Sequence, residues 1–248
     1  MYDYYLGGKD NFAADRAAAE EVLLAVPHGR GMAQQNRRFL TRAIVYMASQ
    51  GVRQFIDLGT GFPTSPSVHE AAGALVDSPR VVYVDNDPVV TTHNLALLAD
   101  QSESVTVLHG DIRCPGEIFS QDELWQAIDF SQPVGILFIA VLHFIPNEDD
   151  PESCVRTFIS HMAPGSFLAI SHVSSDGTSL AAMAAVRQAY RTASAPAVFR
   201  SRAEIARFFT GVELVEPGLT ELSAWRANGT DPEPPANLAV LCGVGRKS

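Results

Sequence analysis

Two amphipathic stretches open the chain. Over residues 12–26, Phe12, Ala19, Val22, Leu23 and Val26 recur on one helical stripe, with Asp10-Asn11 as a cap and Pro27 as a stop. Over residues 32–49, Phe39, Leu40, Ala43, Ile44 and Met47 share a face, and Gly51 ends the helix. From residue 55 the pattern shortens to apolar runs that read as strands, at 55–58, 80–85, 105–108, 134–141, 167–173, 212–215 and 238–244. Helical stretches lie between them. One starts at Ser65-Pro66 and runs to about 76; Asp87-Pro88 opens another to about 99 and Asp150-Pro151 another to about 162; two more follow at 178–193 and 202–209. Residues 111–133 are less regular and partly helical, with Trp125 expected to pack, and a proline-rich loop at 231–235 leads into the last strand. The run VGILFIAV is apolar almost throughout, as a strand buried on both faces must be. Alternating strands and helices predict an α/β fold with a parallel, doubly wound sheet. No repeat or linker divides it, so a single domain is expected over residues 1–248.

Composition narrows the partners. Of 248 residues 46% are hydrophobic, enough for a sizeable core, and the net charge of −10 leaves no basic stripe to neutralise phosphates. Nucleic acid is not an expected partner. Three cysteines, 114, 154 and 242, are far apart and lack C-x-x-C spacing, so neither disulfides nor a metal site is expected. The start, MYDYYLGGKDNF, has no basic segment followed by an apolar one, and no apolar run approaches the roughly 20 residues of a membrane span. A soluble cytoplasmic protein is expected.

The chemistry centres on FIDLGTGFPT, residues 55–64. An apolar strand breaks into Gly59-Thr60-Gly61, a turn that brings bare backbone close to a ligand. A nicotinamide dinucleotide wants a third Gly or Ala where Thr64 stands, which weakens that reading. Asp57, two residues before the glycines, instead resembles the first motif of S-adenosylmethionine-dependent methyltransferases, where an acid lies near the cofactor's ammonium. Three successive strands end in usable features: Gly59 to Gly61, Asp85 and Asp111. In open α/β sheets these converge on one crevice. Asp85, 24 residues after Gly61, suits two ribose hydroxyls; Asp111, with Ile112 against the ring, could accept from an adenine amino group; Asp87, just before Pro88, reads as a helix cap.

Together with YDYYLGGKDNFAADR, NRRFLTRAIVYMA, FIDLGTGFPTSPSVHE, VVYVDNDPVV, HGDIR, AVLHFIPNEDDP and ELVEPGL, the chain resembles a bacterial family of Rossmann-like class I S-adenosylmethionine methyltransferases whose acceptor is unassigned. The resemblance spans nearly the whole chain from Tyr2, which is compatible with a start a few residues further upstream. It implies S-adenosyl-L-methionine as cofactor, contacts at Asp57, Gly59, Gly61, Asp85, Asn86, Asp111 and Ile112, and a seven-stranded sheet with the last strand antiparallel, preceded here by two extra helices. Pro63, where many methyltransferases have a third glycine, suggests a different path around the methionine moiety. His143, just past the fourth strand, is the candidate base, with a near-neutral imidazole suited to taking a proton; His172 is a second candidate. The opening segment, with Tyr5, Lys9 and Asn11, is expected to form a lid within an N-terminal cap of residues 1–50. No N-P-P-Y or D-P-P-Y follows the fourth strand, so O-methylation of a small molecule is the mildest expectation, against a non-catalytic cofactor-binding regulator and a nicotinamide-dependent oxidoreductase.

Overall fold

Because consecutive residues of a strand face opposite ways, each central strand here feeds two hydrophobic layers. In β1 (Gln54–Leu58), Phe55 joins one cluster while Ile56 and Leu58 join the other. The computed structural model describes residues 1–98, 104–191, 195–227 and 237–248. The remaining strands are β2 (Arg80–Asp85), β3 (Val105–His109), β4 (Gly135–Ile139), β5 (Phe167–Ser174), β6 (Glu213–Leu214), β7 (Thr220–Glu221) and β8 (Ala239–Arg246). They form one sheet in the order β3-β2-β1-β4-β5-β8-β6, with β7 pairing β8 off that path. From β3 to β5 all neighbours are parallel, whereas β8 runs antiparallel to β5, from Phe167 opposite Arg246 to Ser174 opposite Ala239. The order reverses direction between β1 and β4, the place where open α/β sheets bind ligands.

The helices are α1 (Tyr2–Tyr5), α2 (Ala13–Ala25), α3 (Gly29–Ser49), α4 (Val68–Gly73), α5 (Pro88–Leu98), α6 (Pro115–Phe119), α7 (Asp122–Ala127), α8 (Pro151–His161), α9 (Leu180–Ala189) and α10 (Arg202–Arg207). One layer packs α3, α4 and α9 on the sheet through residues such as Phe39, Ile44, Ala72 and Val186. The other packs α6, α7 and α8 through Ile118, Leu124 and Phe158.

Three differences from the pattern reading have local causes. The helix after the glycine turn starts at Val68, not at Ser65-Pro66, because Ser67 and Glu70 form a reciprocal capping box and residues 59–67 are left as loop. It also ends at Gly73 rather than 76. The sheet has one strand more than expected, because the two-residue β7, which lies between the last two apolar runs, pairs with β8 as β6 does. The short α1 was not anticipated, since four residues carry no periodicity. The predicted loop at 231–235 and the ends of the helices expected to reach 99 and 193 lie outside the described residues.

Candidate functional site

The carboxyl ends of β1, β2 and β3 are joined by hydrogen bonds into one rim. Gly59 (φ 72°) and Gly61 (φ 63°) take the left-handed conformation that suits glycine. They differ in what surrounds them. A Cβ on Gly59 would lie 2.2 Å from Val141 Cγ2, whereas a Cβ on Gly61 would meet nothing within 4 Å. Bare backbone at Gly61 therefore faces free space. Its N–H donates to Asp85 Oδ2 at 2.8 Å, and the Asp87 N–H donates to Asp85 Oδ1 at 3.0 Å. Each oxygen keeps acceptor capacity, since a carboxylate offers about four lone-pair sites. Burial raises the Asp85 carboxyl above its ordinary range, with the two N–H groups opposing it. Asp87 accepts from the Val89 N–H at 2.8 Å, the contact of a helix cap.

Asp57 is 6% exposed, and burial pushes its carboxyl up to about 6; the Arg37 guanidinium and the Thr60 hydroxyl oppose that rise. Arg37 comes from α3 and donates to the carbonyls of Thr64 (2.7 Å) and Pro66 (2.6 Å), tying that helix to the loop after the glycines. With Asp57, Thr60, Phe62 and Tyr83 it lines a cleft of about 310 Å³. Arg37 was not singled out from the sequence, because its partners are backbone atoms 27 and 29 residues away.

On β3's end, Asp111 accepts from Arg113 Nε at 3.0 Å and from the Arg113 N–H at 2.9 Å, which holds its carboxyl below the usual range. Asn86 Nδ2 also donates to it, at 3.4 Å. Ile112 is buried in the lower cluster with Leu108 and Ile118.

Beyond β4 the chain bends sharply. Ala140 has φ 55°, and its N–H is shared between Ser171 Oγ (2.9 Å) and Ser171 O (3.2 Å). Val141 then packs on Gly59, which brings the following turn against the glycine loop. In that turn (Leu142–Phe144) His143 is buried, and among the described residues its Nδ1 has no hydrogen-bond partner. Burial, then His172 and Arg200, hold the imidazole well below its ordinary value. The near-neutral imidazole expected from the sequence is corrected on this point. His172 is corrected too: it is wholly buried, Nδ1 donates to the Val173 carbonyl at 2.7 Å, and Nε2 accepts from Arg200 Nη1 at 2.9 Å. Neither nitrogen is left for an acceptor.

The opening segment is docked against the helices. The Tyr2 hydroxyl donates to Ala33 O (3.1 Å) and accepts from Asn36 Nδ2 (2.9 Å), and Arg30 lies 4.5 Å over the Tyr4 ring. Tyr5 is buried, and its hydroxyl has no partner among the described residues. Asn11 Nδ2 donates to Asp3 Oδ2 (2.7 Å) and Gly8 O (2.9 Å), closing a bend on which Lys9 is exposed. Beside it, Asp10 Oδ2 lies 3.8 Å from His93 Nε2 on α5, and the His93 ring meets Phe62 edge-on at 5.3 Å. The segment thus reaches the wall of the glycine loop.

A family model described as S-adenosyl methyltransferase matches residues 1–248. The chain belongs to that family. This S-adenosyl methyltransferase is 35% identical to a DUF574 family protein from Streptomyces avermitilis, covering 100% of its own chain and 95% of the other at a TM-score of 0.93. To a putative methyltransferase from Thermobifida fusca it is 36% identical, covering 100% and 93%, with a TM-score of 0.90. The mitomycin 7-O-methyltransferase MmcR shares the fold at 16% identity, covering 98% and 70%, with a TM-score of 0.55. Comparison with curated proteins gave no match. The protein is an S-adenosylmethionine-dependent methyltransferase with S-adenosyl-L-methionine as its cofactor. The open Cα of Gly61 beside a held carboxylate, and an acid next to a guanidinium at Asp57 and Arg37, fit a ligand with a ribose diol, an ammonium and a carboxylate. Among the described residues no helix is long and apolar enough to cross a membrane, and no cluster of His, Cys, Asp or Glu could hold a metal ion.

Proposed function

We propose that this methyltransferase acts on a hydroxyl of a small molecule, in the cytoplasm and without nucleic-acid partners, and that the whole chain works as one domain whose residues 1–50 cap the site. The observation that carries the site assignment is the grip of the Gly61 and Asp87 N–H groups on the two oxygens of Asp85, next to open space over Gly61. In this reading Asp85 takes the ribose hydroxyls, Asp57 the ammonium and Arg37 the carboxylate of the cofactor, with Asn86, Asp111 and Ile112 at the adenine end. Arg113 already occupies much of Asp111, so the adenine amino group takes only its remaining capacity.

When bound, S-adenosyl-L-methionine supplies a methyl group activated as a sulfonium. His143 Nδ1, buried and without a partner among the described residues, would take the proton of the acceptor hydroxyl. A depressed imidazole is a weak base but is neutral at physiological pH, so it accepts a hydrogen bond there without prior deprotonation. Tyr5, Asn11 and Lys9 form the closing segment, which excludes water. The burial of His143 also favours a second reading, a regulator that binds the cofactor without turnover.

The test is incubation of protein and methyl-labelled cofactor with fractionated small-molecule extract. Label recovered as an ether in a small molecule supports O-methylation. Label in an amine corrects the acceptor atom, and cofactor binding with no transfer in any fraction selects the regulator.

A further inference from the structure

A buried guanidinium governs the turn that carries His143. Arg200 is 4% exposed, and all four hydrogen bonds of its fork converge on that neighbourhood. Nη1 donates to Leu142 O at 3.0 Å and to His172 Nε2 at 2.9 Å; Nη2 donates to Ile145 O at 2.8 Å and Asn147 Oδ1 at 2.7 Å. The backbone of the same segment grips from another side, since the Val198 N–H donates to the His143 carbonyl at 2.8 Å. Arg200 is itself fixed to the sheet. It bridges Ser174 at the end of β5, and its carbonyl accepts from the Ser175 N–H at 2.9 Å.

Stability alone does not call for an arginine here. Among the described residues none of its hydrogen bonds goes to a carboxylate, and desolvating a cation against neutral acceptors is costly, so an apolar side chain of similar volume could hold the position as well. What an apolar residue could not do is bind three points of the turn, at residues 142, 145 and 147, in one rigid plane. We propose that Arg200 is a positioning residue for methyl transfer, which fixes the 142–147 turn and through it the His143 imidazole at the transfer site. This rests on the reading of His143 as the base.

The same arginine bears on the protonation of His143. The titratable and charged groups facing that ring are His172 from β5 and Arg200 itself, and both oppose a second positive charge. Burial, the larger cause of the depression, remains when the guanidinium is removed, so its removal raises the imidazole only in part.

The experiment compares Arg200→Met, Arg200→Lys, Asn147→Ala and His143→Gln by kcat, KM and pH profile of methyl-label transfer to the small-molecule extract fraction that takes up label, and by S-adenosylhomocysteine binding. In Arg200→Met we expect kcat to fall by roughly 10 to 10² with cofactor affinity unchanged, the scale of about an ångström of misplacement. The acid limb of kcat should move to higher pH, and only part of the way to the ordinary imidazole value, because burial and His172 still hold the imidazole down. Arg200→Lys should return that limb to lower pH, because charge is restored, while kcat stays low, because a lysine lacks the fork. Asn147→Ala is an exposed change that leaves folding intact, and it should lower kcat without changing KM. Wild-type kcat and pH profile in Arg200→Met and Asn147→Ala, beside lost turnover in His143→Gln, would overturn the role of Arg200 alone. If Arg200→Met does not fold, Asn147→Ala decides. Full turnover in His143→Gln would overturn the reading of His143 and this inference with it.

Discussion

Asp57 is an acid that the fold holds against its preference. Its carboxyl titrates near 6 rather than 3.8, so between those values the native chain keeps a proton the unfolded chain has lost, and stability falls as pH rises through that window. At about 1.36 kcal/mol per tenfold change in proton affinity, the burden at neutral pH is on the order of 3 kcal/mol. Asp57→Asn should therefore raise the melting temperature of the free protein and flatten its pH dependence, while weakening cofactor binding. Wild-type affinity for S-adenosylhomocysteine should rise with pH up to about 6 and level off above it, because only the ionised carboxylate attracts an ammonium. Calorimetry across that range checks both. Asp85 and Asp87 make a second contrast. Asp85→Ala should lower cofactor affinity at least about tenfold, since hydrogen bonds to a charged group are each worth roughly 1.5 to 3 kcal/mol. Asp87→Ala should instead cost about 1 kcal/mol of stability and spare affinity. The two acids were separable in the sequence because Pro88 marks its neighbour as a cap. The depression of His143 was not, since it comes from burial by the fold and then from His172 and Arg200, 29 and 57 residues further along the chain.

The glycine turn is where the pattern was read well and its sequel less so. Strand β2 falls on 80–85 as predicted and β1 within a residue of 55–58, because β-branched runs bounded by Gly and Asp leave little choice. The helix after β1 was read as starting at Ser65-Pro66, and the reciprocal cap of Ser67 and Glu70 moves the start to Val68. Arg200 had no signal at all, because its partners lie 28 to 58 residues away on other elements. Within the turn, the two glycines should respond differently to a methyl group. Gly59→Ala drives a Cβ into Val141 and strains a left-handed residue, so it should cost on the order of 2 to 5 kcal/mol of stability. Gly61→Ala meets open space, so it should cost only the roughly 1 to 2 kcal/mol of the left-handed backbone while blocking the cofactor. Chemical denaturation and a binding titration on both variants separate the effects.

At the scale of the whole molecule, a ligand that binds only the folded state at 100 times its dissociation constant adds about 2.7 kcal/mol. S-adenosylmethionine and S-adenosylhomocysteine should each raise the melting temperature by several degrees in a chain of this size, and NADH should not. A shift with NADH and none with either sulfur nucleoside would count against the site as drawn. The position of β8 has a different kind of consequence, one of timing. Strand β5 is buried along all eight residues, and its outer neighbour is β8, which pairs with every one of them from residues 239–246. During synthesis β1 to β5 can assemble first, but β5 remains an open, apolar edge until residues 239–246 have left the ribosome. The short β6 and β7 cannot shield it, because both attach to β8. A stop codon at 238 should therefore release a chain that self-associates through β5, and a peptide of residues 237–248 supplied in trans should suppress that association.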